Sequence, residues 1–195
     1  NVGRMMAQEI EIEFKNLLTK QGFHLLLDKL PFSKSSIEQT NHYFETNPFT
    51  LKKHGSALRI RYKNGKYRLT LKEPHELGLQ ETHDTLTEQE AKQWLNGNII
   101  PKEHTTKQLK QMGVNPEELT YFGSLTTRRH EINYRGSIIV LDLSTYNGKE
   151  DYEFELETNN REKGLALFQE LMSTYGIPIR KTPNKIERFF LSLPK

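Results

Sequence analysis

The sequence predicts an α+β fold in which eight largely antiparallel strands close into a β-barrel with helices around it. Several segments alternate charged and apolar residues with the two-residue period of a β-strand. Short turns join most of these segments, which favours antiparallel pairing. A closed sheet of eight strands removes its own edges and leaves an interior of ligand size, toward which polar side chains can face.

The first predicted strand, residues 8–15, reads QEIEIEFK and alternates charged with apolar residues at nearly every position. Three carboxylates on one face repel each other and add nothing to a core, so we expect this face to bind a cation or a ligand. A helix is predicted over residues 17–30, ended by Pro31, and a short strand over residues 41–45. The charged face of the first strand carries Glu9, Glu11, Glu13 and Lys15.

The strongest local signal is a hairpin, in which Asn64-Gly65 separates the alternating runs 57–63 and 66–72. Asn-Gly is the preferred two-residue hairpin turn, because both positions accept a positive φ. If Lys63 pairs with Lys66, one face of the hairpin is apolar and the other is cationic. The cationic face is then predicted to place Arg61 opposite Arg68, Arg59 opposite Thr70 and Ala57 opposite Lys72.

The remaining elements follow from periodicity and capping signals. The helix that follows the predicted strand over residues 78–84 begins at a capping box, Thr87 with Glu90, and ends near Gly97. The predicted strands cover residues 78–84, 121–133, 137–146 and 152–158. The predicted helices cover residues 87–97, 105–112, 161–175 and 184–193.

Composition indicates one globular domain. The 195 residues are 34% hydrophobic and 27% charged, and no linker divides them. We predict a single domain over residues 7–194 and interpret residues 1–5 as a remnant of cloning. No apolar run is long enough to cross a bilayer, no secretory signal is recognisable and there is no cysteine, so we expect a cytoplasmic protein.

Charge and motifs exclude several classes of site. A net charge of +3 permits an anionic ligand. The sequence lacks the concentrated basic stripe that is typical of proteins that bind nucleic acid. The seven histidines show no metal-ligand spacing and are interpreted as surface or packing residues, as Trp94 is interpreted as a core residue. No glycine-rich phosphate loop is present, so side chains would have to hold a phosphate.

The charges are segregated by strand. The first and last strands are acidic, the latter through Glu153, Glu155 and Glu157, whereas the middle strands are basic. One alternative is a merely solvated face, but such a face normally interleaves charges of opposite sign. Carboxylates spaced two residues apart suit Mg²⁺ or Mn²⁺, and arginine and lysine clusters suit phosphoryl oxygens. The pattern favours a metal–polyphosphate site.

With these residues in view, the sequence resembles the CYTH superfamily, or triphosphate tunnel metalloenzymes. The hallmark ExExK motif is Glu11-Ile12-Glu13-Phe14-Lys15, and the resemblance extends over nearly the whole chain. The further matching positions are Tyr43-Phe44, residues 57–61, residues 69–72, Glu81, Arg129, Leu141-Asp142, the late acidic strand and Lys185.

The resemblance implies a tunnel that binds triphosphate and divalent metal, with Glu81 as a further polar wall residue. It implies Lys15, Glu155 and Glu157 as catalytic residues. The implied substrate-binding residues are Lys15, Arg59, Arg61, Lys72, Arg129 and Lys185, to which we add Arg68 as a residue that can compensate for the missing lysine at Thr127. The implied metal ligands are Glu11, Glu13, Asp142, Glu155 and Glu157. The chain departs from the family at Thr127, often a lysine, and at Asn184, often a serine.

The first functional hypothesis is a metal-dependent inorganic triphosphatase, because nothing outside the tunnel is suited to a base or a thiazole. Within the enzyme class, the alternatives are a class IV-type adenylate cyclase and a thiamine or nucleoside triphosphatase. The alternative from another class is a polyphosphate- or nucleotide-binding module without turnover, which the missing lysine at Thr127 keeps open. The oligomeric state is not fixed by the sequence, and a homodimer stays open.

Overall fold

The computed structural model describes residues 7–194, in which eight antiparallel strands close into a barrel in the order β1-β5-β4-β3-β2-β6-β7-β8. This confirms the predicted fold class. The strands are β1 Gln8–Leu18, β2 Ile37–Thr46, β3 Ala57–Lys63, β4 Lys66–His75, β5 Gly78–Leu86, β6 Leu119–Tyr134, β7 Ser137–Tyr146 and β8 Lys149–Thr158.

Six α-helices and one 3-10 turn, Pro116–Glu118, accompany these strands within the described residues. None of these helices is long and apolar enough to span a bilayer. The helices are α1 Lys20–Lys29, α2 Thr50–Lys53, α3 Glu88–Leu95, α4 Glu103–Gln111, α5 Arg161–Thr174 and α6 Lys185–Leu191.

The described chain divides into two compact units. The first unit contains residues 7–10 and Thr40–Ser124, and the second contains Glu11–Gln39 and residues 125–194. The single domain over residues 7–194 stays a prediction, and the interpretation of residues 1–5 lies outside the described residues. Each unit has its own hydrophobic core.

In the first unit, the core lies on one face of the β3–β4–β5 sheet. The Asn64-Gly65 turn has φ values of 52° and 75°, and the hairpin register is the predicted one, with Arg61 opposite Arg68 and Lys63 opposite Lys66. Trp94 of α3 is 1% exposed and donates a hydrogen bond from its indole N–H to the carbonyl of Ile100, which confirms its prediction as a core residue. The apolar face of the hairpin packs in this core with residues of α3 and α4.

In the second unit, β1 pairs with β8, β8 with β7 and β7 with β6. The core contains apolar residues of β7 and β8, such as Ile139 and Phe154, together with residues of α1 and α5. Because side chains alternate between the two faces of a strand, the positions between these apolar residues lie on the opposite face. That face carries the acidic residues of β8.

Several predicted boundaries are wrong, each for a local reason. The helix predicted over 17–30 begins at Lys20, because β1 continues to Leu18 in register with β8 and Thr19 caps the helix by accepting from the N–H of Gly22. The strand predicted over 41–45 extends to Ile37–Thr46. The four-residue helix α2 and the 3-10 turn were not predicted, since each covers only about one turn and is too short to show a repeating apolar pattern.

Candidate active site

In the second unit, three strands place the predicted acidic residues side by side. Lys15 lies opposite Glu155 and Glu13 lies opposite Glu157 in the β1–β8 register. Asp142 lies opposite Glu153 in the β7–β8 register and opposite Arg129 in the β6–β7 register. Residues that face each other across a ladder share one face of the sheet, so strand pairing alone brings these side chains together.

Lys185, at the start of α6, is the centre of this cluster. Its Nζ lies 2.7 Å from Oε1 of Glu155, 2.8 Å from Oδ2 of Asp142 and 3.2 Å from Oε2 of Glu153. Arg129 donates two hydrogen bonds of 2.8 Å, from Nε and Nη2, to the two carboxylate oxygens of Asp142. This bidentate pairing is the geometry in which a guanidinium binds a carboxylate or a phosphate most strongly.

Burial and neighbouring charges set the protonation of the cluster. Burial favours the neutral form of Glu155, but the charges of Lys185 and Arg129 outweigh it and hold its pKa well below the usual range. Asp142 behaves in the same way, with its pKa lowered by Arg129 and Lys185 against its burial. Burial raises the pKa of Glu153 to about 7, despite the charges of Lys185 and Arg188. Carboxylates of one cluster therefore have different pKa values, because their surroundings differ in burial and in neighbouring charge.

A second acidic group is formed by the hallmark residues of β1 and the end of β8. One carboxylate oxygen from each of Glu11, Glu13 and Glu157 lies within 4.8 Å of the others, and all three residues are half-buried. Lys15 Nζ lies 2.9 Å from Oε1 of Glu13 and donates to Oδ1 of Asn184. Burial raises the pKa of Glu157, and the charges of Glu155 and Glu13 act in the same direction. Three oxygen donors at this spacing suit a hard divalent cation, which would relieve the repulsion among them.

The first unit holds the predicted cationic residues on the face of the hairpin opposite its core. Arg61 donates from Nε to the side-chain oxygen of Asn41 at 2.9 Å, and Lys72 Nζ lies 3.6 Å from Oε2 of Glu81. Among the described residues, the Nε atoms of Arg59 and Arg68 are buried and have no hydrogen-bond partner. Buried donors of this kind cost free energy unless an acceptor is supplied, so this face is suited to an anion.

Sequence reasoning missed His83, which links two glutamates in the first unit. The residue is 4% exposed, and its Nε2 lies 3.2 Å from Oε2 of Glu9 and 3.5 Å from Oε1 of Glu81. Its Nδ1 lies 2.8 Å from the hydroxyl of Thr70. Because Thr70 and His83 are paired positions of β4 and β5, the register of that pair would have indicated the contact.

Sequence reasoning also missed Arg188, one helical turn after Lys185. Its side chain contacts Asp151 and Glu153, and it is 9% exposed. The signal in the sequence was the i, i+3 spacing from Lys185 on a predicted helix.

At the position where the family often has lysine, Thr127 is fully buried and shares a 2.8 Å hydrogen bond with the hydroxyl of Ser144. Uncharged hydroxyls thus occupy this part of the acidic face.

Eight antiparallel strands closed into a barrel, with charged residues gathered on the strand faces opposite the cores, define the triphosphate-tunnel class of fold. The chain belongs to the CYTH domain family, whose model matches residues 9–190. This confirms the resemblance identified from the ExExK motif and the positions that follow it.

The chain is similar to three named or solved relatives. A protein of Bacillus subtilis (strain 168) named "Putative triphosphatase YjbK" is 47% identical over 186 residues, which are 95% of this chain and 96% of the relative. A crystal structure described as a "putative adenylate cyclase" from Bacillus halodurans has a TM-score of 0.91 and 44% identity, covering 95% of this chain and all of that one. A Hippeastrum protein described as a "Putative adenylyl cyclase" with "a dominant triphophatase activity" has a TM-score of 0.79 and 27% identity, covering 93% and 96% of the two chains.

Family membership and the names of these relatives support an enzymatic role for this chain. The names include both a triphosphatase and an adenylate cyclase, two activities that act on a triphosphate. They do not specify the metal or the roles of individual residues in this chain.

Proposed function

We propose that this protein is a divalent-metal-dependent triphosphatase that hydrolyses the terminal phosphoanhydride of inorganic triphosphate. The observation that carries the proposal is the cluster in which Lys185 and Arg129 contact Asp142 and Glu155, with the Glu11–Glu13–Glu157 group on β8 and the strand paired with it, β1. Phosphoryl transfer requires charge stabilisation and positioning more than covalent chemistry from the protein, and these residue types supply both.

The residues fit a divalent cation. Glu11, Glu13 and Glu157 supply three clustered carboxylate oxygens, and Asp142 and Glu155 are ionised neighbours that could complete the set. Oxygen-only donor sets of this type favour Mg²⁺ or Mn²⁺. When bound, such a cation supplies neutralisation of phosphoryl charge and lowers the pKa of bound water.

The cations of both units are the proposed phosphate ligands. In the second unit these are Lys15, Arg129 and Lys185, which now contact carboxylates and can also donate to phosphoryl oxygens. In the first unit they are Arg59, Arg61, Arg68 and Lys72, and the unpartnered Nε atoms of Arg59 and Arg68 support an anionic ligand there. Glu155, held in its ionised form, is the proposed acceptor of a hydrogen bond from the attacking water, with Glu157 as the alternative.

The relatives support a triphosphatase and also keep one competing reaction in view. Two of the three are described as adenylate or adenylyl cyclases, and one of these is described as having a dominant triphosphatase activity. A cyclase would bind the same triphosphate and use the ribose hydroxyl of ATP as the nucleophile at the α-phosphorus. The products distinguish the reactions: hydrolysis of inorganic triphosphate yields orthophosphate and pyrophosphate and hydrolysis of ATP yields orthophosphate and ADP, whereas a cyclase converts ATP into cyclic AMP and pyrophosphate.

The decisive experiment measures orthophosphate and pyrophosphate release from inorganic triphosphate and from ATP, with Mg²⁺, with Mn²⁺ and with EDTA. The variants are Glu13→Gln, which removes one charge from the three-carboxylate group, and the matched control Glu88→Gln on an exposed helical surface. We expect metal-dependent orthophosphate release that falls at least about 100-fold in Glu13→Gln, since the variant loses one charged ligand of the proposed cation, whose stabilisation of transition-state charge contributes several kcal/mol. Glu88→Gln is expected to match the wild type.

The other outcomes assign other functions. Formation of cyclic AMP together with pyrophosphate from ATP, without orthophosphate release from triphosphate, would establish the cyclase. Tight binding of triphosphate without turnover would establish a binding module. Full activity in Glu13→Gln would remove the three-carboxylate group from the mechanism.

A further inference from the structure

Arg188 of α6 makes three contacts, two of which reach the acidic strand β8. Its Nε donates to Oδ2 of Asp151 at 3.0 Å and its Nη2 to Oε2 of Glu153 at 2.5 Å, while Nη1 donates to the backbone carbonyl of Pro183. Asp151 also accepts a 2.6 Å hydrogen bond from the hydroxyl of Tyr146. A guanidinium with three separate acceptors has a fixed orientation, because its planar fork of donors allows few others.

Arg188 and Lys185 share one carboxylate oxygen. Oε2 of Glu153, a fully buried side chain, accepts from Arg188 at 2.5 Å and lies 3.2 Å from Nζ of Lys185. Lys185 lies nearer to Asp142 and Glu155, at 2.8 and 2.7 Å. Arg188 is thus the nearer of the two cations to Glu153, and the ammonium of Lys185 lies closest to the other two carboxylates.

Removal of Arg188 would change this division. A buried carboxylate that loses one of its cationic partners is strongly destabilised, and in its ionised form it attracts the nearest remaining cation. That cation is Lys185, only 3.2 Å away on the same helix. A displacement of Lys185 toward Glu153 takes it away from Asp142 and Glu155, and small displacements of binding groups lower catalytic rates steeply.

We propose that Arg188 is a positioning residue of the active site: by occupying Glu153, it holds Lys185 on Asp142 and Glu155, where the ammonium can bind a phosphoryl oxygen. This inference rests on the proposed triphosphatase function. It assigns α6 two cations with different tasks, a substrate ligand at Lys185 and a residue at Arg188 that fixes the ligand's place without touching substrate.

A charge-removal rescue tests this role. The variants are Arg188→Gln, Glu153→Gln, the double variant, and Arg180→Gln as a control on an exposed arginine of the segment before α6. The measurement is kcat/KM for inorganic triphosphate with Mg²⁺. We expect Arg188→Gln to lower kcat/KM about 10- to 100-fold, as losses of supporting residues commonly do. The double variant is expected to recover most of that loss, because the uncharged side chain introduced by Glu153→Gln no longer attracts Lys185. Arg180→Gln is expected to match the wild type.

A purely structural role gives the opposite result. If Arg188 serves only to anchor α6, removing the charge of Glu153 as well leaves the helix no better attached, and the double variant is no more active than Arg188→Gln. Either that result or an unchanged kcat/KM in Arg188→Gln overturns the inference about Arg188. If the wild type is active, the proposed triphosphatase function still holds. A wild-type protein that releases no orthophosphate overturns both.

Discussion

At the scale of single residues, His83 shows how a buried imidazole can be kept neutral among carboxylates. Burial lowers its pKa below the ordinary value of 6.5, and the nearby charge of Arg68 acts in the same direction, against Glu81 and Glu9. A neutral imidazole can donate from Nε2 toward the glutamates and accept at Nδ1 from the Thr70 hydroxyl. The residue thereby satisfies polar atoms on β1, β4 and β5 without adding a charge.

This environment predicts a pH dependence of stability. A histidine with a lowered folded-state pKa binds fewer protons in the folded than in the unfolded chain, so the free energy of unfolding falls as the pH decreases from about 6.5 toward the folded value. Between about pH 7.5 and about pH 5, the urea midpoint of the wild type should therefore decrease more than that of His83→Gln. Urea denaturation at both pH values measures the difference.

The matched control is His24→Gln, which replaces an exposed histidine and should leave the wild-type pH dependence unchanged. If His83→Gln loses as much stability as the wild type over the same pH range, protonation of His83 does not oppose folding.

Neither His83 nor Arg188 was predicted as a site residue. Their roles depend on contacts between strands or between a helix and a strand, which alternation within one segment does not specify.

At the scale of elements, the contact between α5 and β8 depends on a glycine. A Cβ built at Gly164 would lie 2.4 Å from Cγ2 and 2.8 Å from Cβ of Thr158. In a helix, Gly→Ala ordinarily stabilises by up to about 1 kcal/mol. At this position the clash should outweigh that gain, and we expect Gly164→Ala to lower the free energy of unfolding by about 1–3 kcal/mol, the usual cost of overpacking. Chemical denaturation measures the change.

A second substitution tests the cause. Thr158→Ser removes the methyl group nearest to the added Cβ and keeps the hydroxyl, which accepts from the N–H of Asn160. Gly164→Ala should therefore cost less in a Thr158→Ser background than in the wild type. An equal cost in both backgrounds would place the strain elsewhere.

Elements with a strong local signal were predictable. The hairpin register followed from Asn64-Gly65 and the start of α3 from the Thr87–Glu90 capping box, because turn and cap chemistry involve only neighbouring residues. The start of α1 was not predictable in this way, since the residues before it extend a strand whose partner, β8, lies far along the chain. Tertiary pairing overrode an apolar pattern that could equally continue a helix.

At the scale of the whole molecule, the polarity of the sheet is the feature that the sequence specified best. Each unit packs its apolar strand face with helices and leaves its charged face opposite, carboxylates dominating in the second unit and arginines in the first. Segregation by sign was visible in the sequence because it holds along whole strands. The pairing of individual charges was not, since it depends on which strands are neighbours and on where α6 begins.

If the proposed cationic ligands bind triphosphate, the anion alone should stabilise the folded protein. A ligand that binds only the folded state adds about 2.7 kcal/mol at 100 times its Kd. In EDTA, where a metal-dependent reaction cannot proceed, inorganic triphosphate should raise the melting temperature more than orthophosphate at equal ionic strength. The increase, measured for each variant against its own ligand-free melting temperature, should shrink in Arg59→Gln and in Lys185→Gln but persist in the exposed control Lys107→Gln. A shift that orthophosphate reproduces, or that both variants retain in full, would mean that general screening of positive charge, and not a triphosphate site, stabilises the fold.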